Sequence, residues 1–249
     1  MGSAYFGAMA LATLVGLSLG TLGSGGSIIV TPVLVYVAHI PPEKAVGMSL
    51  LIVGLTSLVG AILNFRRGNV AMRPVVFLAT SGVVGSFLGS TGTHLVPRRT
   101  LMLLFAGLMI VVGLAMWQGS SRFRKCETFR ASHCLLAGFF VGLLTGFLGI
   151  GGGFLIVPTM VLFGGLDTKL AAGSSLAVIT VNAAMGLLGQ LRFQPVEWTS
   201  VGGFLLFAIG GMLIGHRVAQ RLPEFHVRRI FAVTVVIVGA SIGVQNLLY

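Results

Sequence analysis

The stretch GLSLGTLGSGGSIIVTPVL at 16–34 returns as GLLTGFLGIGGGFLIVPTM at 142–160, so one glycine-broken apolar segment occurs twice in the chain. Gly20, Gly23, Gly26 and Pro32 pair with Gly146, Gly149, Gly152 and Pro158 at a constant shift of 126 residues. The same shift, with no gap, pairs Gly47 with Gly173, Ser49 with Ser175, Gly60 with Gly186, Arg66 with Arg192, Gly85 with Gly211, Gly89 with Gly215 and Pro97 with Pro223. It is about half of the 249 residues. One design therefore fills the chain twice, and interrupted apolar segments in matching positions of two halves mark the binding site of many membrane carriers.

Hydrophobic residues make up 55% of the chain and charged residues 8%, whereas in a soluble domain about a quarter of residues are charged. Such a chain belongs in a lipid bilayer. Its 16 Lys and Arg against 5 Asp and Glu would suggest nucleic acid in a soluble protein. Here the cations cluster between apolar runs, at Arg66-Arg67, Arg98-Arg99, Arg122 to Arg130 and Arg228-Arg229. That is the pattern of cytoplasmic loop anchors, and no nucleic-acid partner is expected.

Two cysteines, Cys126 and Cys134, support neither a disulfide framework nor a metal site. His39, His94, His133, His216 and His226 fall at span ends or in loops without ligand spacing, so none is assigned to metal or proton transfer. The run Tyr5–Leu22 lacks a basic flank and has an internal counterpart, so it reads as mature structure rather than a signal peptide. The turn Gly23-Ser24-Gly25-Gly26 has no following Lys-Ser/Thr, and no HExxH, GxSxG or paired carboxylate lies in a span. Neither enzymatic activity nor a cofactor is expected.

Apolar runs long enough to cross a bilayer, about 20 residues, are Tyr5–Leu22, Ala45–Phe65, Pro74–Thr93, Thr100–Trp117, Ser132–Leu148, Leu170–Leu191, Val201–His216 and Ile230–Leu247. Ser27–Ala38 and Gly153–Phe163 are too short to span, and read as half-helices that follow the glycine turns. The expected fold is an all-α polytopic membrane protein of two homologous halves, each a glycine-broken hairpin plus three spanning helices. The N-terminal repeat is 1–118, a basic linker is 119–131, and the C-terminal repeat is 132–249. If each broken segment crosses once, the Lys and Arg divide evenly between the two sides. If each returns as a hairpin, the loops at 66–73, 122–130, 169 and 217–229 fall together and hold twelve of the 16 Lys and Arg. The positive-inside tendency favours the second arrangement, which makes the halves inverted repeats with a cytoplasmic linker.

Backbone that leaves a helix inside a membrane needs partners in protein or in a wet cavity, because lipid offers none. Each break is followed by a short helix whose first amides are unpaired and carry partial positive charge. Gly23, Ser24, Gly25, Gly26 and Ser27 in one half, and Gly149, Ile150, Gly151, Gly152 and Gly153 in the other, are therefore candidates to present bare amides to an anion. The spans hold essentially no charged residues. Neutral donors stand in for them: Ser49 and Asn64 in the first half, Ser174, Ser175 and Gln190 in the second. Interhelical hydrogen bonding without substrate contact is the competing role for these side chains. Arg66 and Arg192, at equivalent helix ends, fit either interfacial anchors or residues that draw anions to the pathway. Gly85-xxx-Gly89 and Gly211-xxx-Gly215 read as helix-contact patterns.

The segment from Gly146 to Pro158, GFLGIGGGFLIVP, with Ala171-Ala172-Gly173-Ser174-Ser175-Leu176 after it, resembles the TauE/SafE family of membrane permeases, the sulfite exporter or toluene-sulfonate uptake family. The likeness spans nearly the whole chain; the first copy departs in having Ser27 where the second has Gly153. It implies a multi-pass carrier in a bacterial or archaeal cytoplasmic membrane that moves sulfite, sulfonates or related oxyanions and organic acids by alternating access. The membrane potential, about 2.3 kcal/mol per charge per 100 mV, favours export of an anion. An anion channel of the same fold, or an integral-membrane enzyme or assembly factor, are the competing classes. The residues leave open a homodimer and coupling to protons.

Overall fold

The computed structural model describes residues 2–23, 40, 42–92, 131–148, 153–162, 165–190 and 198–221, with 27, 30, 34 and further positions between 103 and 117 and between 229 and 244. Every regular element among them is helical: α1 (Gly2–Leu22), α2 (Pro42–Arg66), α3 (Met72–Gly92), α4 (Ala131–Leu148), α5 (Gly153–Leu162), α6 (Thr168–Gln190) and α7 (Trp198–Arg221). In hydrocarbon only a helix satisfies its own backbone within one segment, so the apolar runs have little choice. Gly47–Arg66, Lys169–Leu188 and Val201–Ala219 are long and apolar enough to cross a membrane. Among the described residues the protein is all-helical, as a helical membrane protein would be.

Local chemistry sets the helix ends. Pro42 opens α2 at the one position where a missing amide costs nothing. Asp167 precedes α6 and its carbonyl accepts the Ala171 amide at 2.8 Å. Pro158 lies inside α5, and beside the gap it leaves Thr159 donates its hydroxyl to the Leu155 carbonyl. Gly23, Gly68 and Gly165 stop α1, α2 and the segment after α5 with φ of 75°, 72° and 63°, a left-handed turn that glycine takes without strain. The Leu166 amide reaches back to the Met160 carbonyl at 3.2 Å, and the Ile40 amide does the same to Leu34 at 3.0 Å. Those two bonds lie 126 residues apart in sequence.

Small residues bring the helices together, as expected where lipid removes the hydrophobic drive between them. Along α1 and α7, a Cβ on Gly16 would strike the Ala208 carbonyl oxygen, one on Gly211 that of Thr13, and one on Gly215 that of Leu17. The two helices run parallel. Along α3 and α4, Gly85 lies against the Phe139 carbonyl and Gly142 against that of Gly82, again a parallel pair. The contact role assigned to Gly85, Gly211 and Gly215 from sequence is what the structure shows. α2 and α6 cross the other way: Leu50 meets Gly186, Gly54 meets Ala183, Gly60 meets Leu176 and Asn64 meets Gly173. That pair is antiparallel.

Among the described residues, large apolar side chains face outward and several polar ones are buried. Phe87 is 70% exposed and Leu206 74% exposed, tolerable only where the surrounding medium is apolar. Ser27, Ser49, Thr56, Ser57, Asn64, Ser174, Ser175 and Asn182 are buried. The exposed cations Arg66, Arg67, Arg73, Lys169, Arg217 and Arg221 sit at one end of the bundle, where the C-termini of α2 and α7 meet the N-terminus of α6. The α2–α3 turn touches α6 there, since the Ala71 amide donates to Ser174 Oγ at 2.8 Å. The glycine turns at 24–26 and 149–152, the linker 119–130 and Arg192 lie outside the described residues.

With both native cysteines replaced, single cysteines at Gly68, Asp167 and Arg221 are expected to react with an impermeant maleimide from the same face of sealed vesicles. Labelling of Gly68→Cys from one face and Asp167→Cys from the other would contradict the packing of the α2–α3 turn on α6.

Candidate functional site

At the cation-rich end the ends of four helices leave a cavity of about 170 Å³. Gly20, Thr21 and Gly23 come from α1 and the turn that ends it, Asn64 from α2, Asn69 from the following turn, Lys169, Ala172, Gly173 and Leu176 from α6, and His216 and Ala219 from α7. None of these eleven lining residues is acidic. Lys169 is exposed at the mouth and His216 is buried, with Arg67 and Arg217 close enough for their charges to act on the imidazole. The first turns of α6 bring a partial positive helix end to the cavity, while α1, α2 and α7 bring C-terminal ends of the opposite partial charge. The space is large enough to admit a small oxyanion.

Backbone approach builds the walls. A Cβ on Gly23 would meet the Ala172 carbonyl oxygen at 2.5 Å and its Cα at 2.6 Å, and φ at this position is already left-handed. Only glycine lets α1 end against α6 in this way. Gly173 lies under the Asn69 carbonyl, and a Cβ there would also reach the Asn64 side chain at 3.1 Å. Hydrogen bonds then hold the wall: Ser175 Oγ donates to Ala172 O at 2.8 Å and lies 3.4 Å from Gly23 O, while Asn64 Nδ2 donates to Gly60 O at 2.9 Å. The Asn69 amide closes the α2 terminus on the Asn64 carbonyl at 2.9 Å.

The sequence-derived candidates divide on this frame. Gly23 and Asn64 line the cavity. Ser174 and Ser175 are fully buried behind its wall and tie α6 to the α2–α3 turn and to α1. Ser49 is buried near the start of α2, and the antiparallel register puts it about 20 Å from Ser175 along the helix axes. The pair that the repeat shift matches in sequence is thus not brought together. Ser27 is buried, Gly153 opens α5, Gln190 closes α6, and Arg66 is exposed at the cation-rich end. Ser24, Gly25, Gly26, Gly149, Ile150, Gly151, Gly152 and Arg192 lie outside the described residues.

Lys169, His216 and Asn69 were not singled out from sequence. Each is unremarkable alone, at a helix end or in a turn, and only the meeting of three chain segments groups them. One signal was present. Under the shift of 126 the partner of Lys169 is Glu43, so the repeat reverses charge at this position.

Comparison with known proteins follows this geometry. Residues 8–242 match the model of the family described as Sulfite exporter TauE/SafE. A "Probable membrane transporter protein" of Xylella fastidiosa (strain Temecula1) is 35% identical over 91% of this chain and 90% of its own length. "Probable membrane transporter protein YdhB" of Bacillus subtilis is 26% identical, covering 91% of this chain and 95% of its own. A third relative, from Methanocaldococcus jannaschii, is called "Probable membrane transporter protein MJ0441" and is 26% identical over 95% of this chain and 93% of its own. No solved structure matches the chain.

Because Gly23 combines a left-handed φ with backbone contact, Gly23→Ala is expected to destabilise the protein by about 1–3 kcal/mol. Gly68→Ala serves as the comparison: its φ is similar, but nothing lies within 4 Å of the added methyl. Melting of the purified variants in detergent should show a larger drop for Gly23→Ala.

Proposed function

The chain belongs to the sulfite exporter TauE/SafE family of membrane transporters, and we propose that it is a secondary carrier that exports small anions such as sulfite, organosulfonates or related oxyanions and organic acids across the cytoplasmic membrane. The observation that carries this reading is the cavity between Gly23, Asn64, Lys169, Gly173 and His216, a pocket with polar lining and no acidic residue set into an apolar bundle. It lies at the end that gathers Arg66, Arg67, Arg73, Arg217 and Arg221, which the positive-inside tendency assigns to the cytoplasm. An anion leaving the cell would enter there, drawn by the local potential before it meets any donor.

Alternating access asks for two halves that can exchange roles, and the helix directions support inverted repeats over 1–118 and 132–249. α2 and α6 occupy the same stretch of each repeat and run antiparallel, and α1 with α7 and α3 with α4 form matched parallel pairs that each join one half to the other. Near the ends of the halves, Gly113 meets Ala232 and Val236 while Gly239 meets Met109 and Ala106, a second antiparallel pair of repeat counterparts. The glycine turns at 24–26 and 149–152 complete the proposal. Each would bring bare amides to the substrate, with Ser27 and Gly153 opening the short helices that follow.

Anion flux into proteoliposomes tests the reading, with sulfite, methanesulfonate and lactate as probes. The wild type is expected to show saturable flux and counterflow; flux without saturation would mark a channel, and no flux of any probe would remove the carrier. Lys169→Gln should raise KM about three- to tenfold at low salt, less as ionic strength rises, because Lys169 is exposed and its attraction is screened. Gly25→Leu and Gly151→Leu are expected to insert normally and to transport nothing. Unchanged rates in both would take the glycine turns out of the mechanism.

A further inference from the structure

Helical hydroxyls in this protein share a habit: Thr21, Thr80, Ser81, Thr159, Thr180 and Ser241 each donate to the carbonyl oxygen four residues back, at 2.6–2.8 Å. Thr56 and Ser57 break it. Both are 0% exposed, and neither hydroxyl oxygen has a hydrogen-bond partner. Asn182, which stands where Thr56 does under the shift of 126, is 6% exposed and its Oδ1 is equally unpartnered. The register that sets Gly54 against Ala183 puts all three within about 3 Å of one depth, near the middle of α2 and α6. An orphaned hydroxyl in a dry interior is unfavourable, and a methyl would fill the same space. At position 57 the other repeat does carry alanine, Ala183.

These hydroxyls lie just below the cavity floor. Leu176 lines the cavity, and a Cβ on Gly60 would meet Leu176 Cδ1 at 2.8 Å and run into the terminal methyl of Met212. Two flexible side-chain ends therefore lie over Gly60, and Ser57 is three residues, about 4.5 Å, deeper along α2. We infer that Thr56 and Ser57 form an occluded binding step for a small oxyanion, each donating its O–H once Leu176 and Met212 swing off Gly60. This step rests on the carrier reading above and extends it to the membrane centre. Asn182 is the polar counterpart that the other half holds at the same depth.

Sulfite transport by Thr56→Val, Ser57→Ala and the double variant in proteoliposomes decides the matter, together with their melting in detergent. Since no hydrogen bond is lost, the melting temperature should stay level or rise. KM for sulfite should increase about tenfold in each single variant and about a hundredfold in the double, from the loss of one and two charge-assisted hydrogen bonds. Unlike the Lys169→Gln effect, these losses should persist at high salt. Wild-type KM and rate in the double variant would overturn the inference. So would a fall in melting temperature that tracks the lost transport, which would make the hydroxyls structural, or a change confined to a sodium requirement, which would assign them to a cation. A wild type that moves no sulfite would remove the carrier reading, and this step with it.

Discussion

Hydrocarbon offers no partner to an N–H or an O–H, and most of this structure follows from that fact. The apolar runs become helices because each then satisfies its own backbone. The helices meet through glycine because, with lipid on the outside, closeness rather than hydrophobicity holds them. Gly16 under the Ala208 carbonyl and Gly85 under that of Phe139 show how near the backbones come. Polar side chains move inward for the same reason, and most are bonded there: Ser174 to Ala71, Ser175 to Ala172, Asn64 to Gly60.

Against that background the cavity at the cation-rich end is an exception that the fold takes trouble to build. Gly23 and Gly173 thin the walls, the buried serines hold them, and Lys169 lies on the lining with Arg67 and Arg217 near His216. Placing charge at the rim rather than in the span avoids the large cost of a cation in the bilayer centre. The deeper contacts on α2 are neutral hydroxyls, which cost far less to bury than a charge.

Much of the fold was legible in the residues. α2 runs Pro42–Arg66 where hydropathy marked Ala45–Phe65, and α6 runs Thr168–Gln190 where it marked Leu170–Leu191. The small-residue spacing in α3 and α7 named true contacts. The site was legible only in part. Gly23 and Asn64, a glycine break and a lone amide that stand out in an apolar run, line the cavity, whereas Lys169, His216 and Asn69 belong to segments that meet only in three dimensions. Ser49 and Ser175, equivalent in the two repeats, lie apart for a geometric reason. Equal positions on two antiparallel helices converge only at the crossing point, and these lie well to either side of it.

The pairing of α1 with α7 bears on how the protein is made. α1 leaves the ribosome long before its main neighbour α7, with Gly16 fitted to Ala208 and Gly20 to Met212. Until that late segment is inserted, α1 has a glycine-lined face with only lipid to cover it. Assembly in the membrane must therefore hold an early helix in waiting, and any break in synthesis before α7 leaves a product that cannot close its own seam.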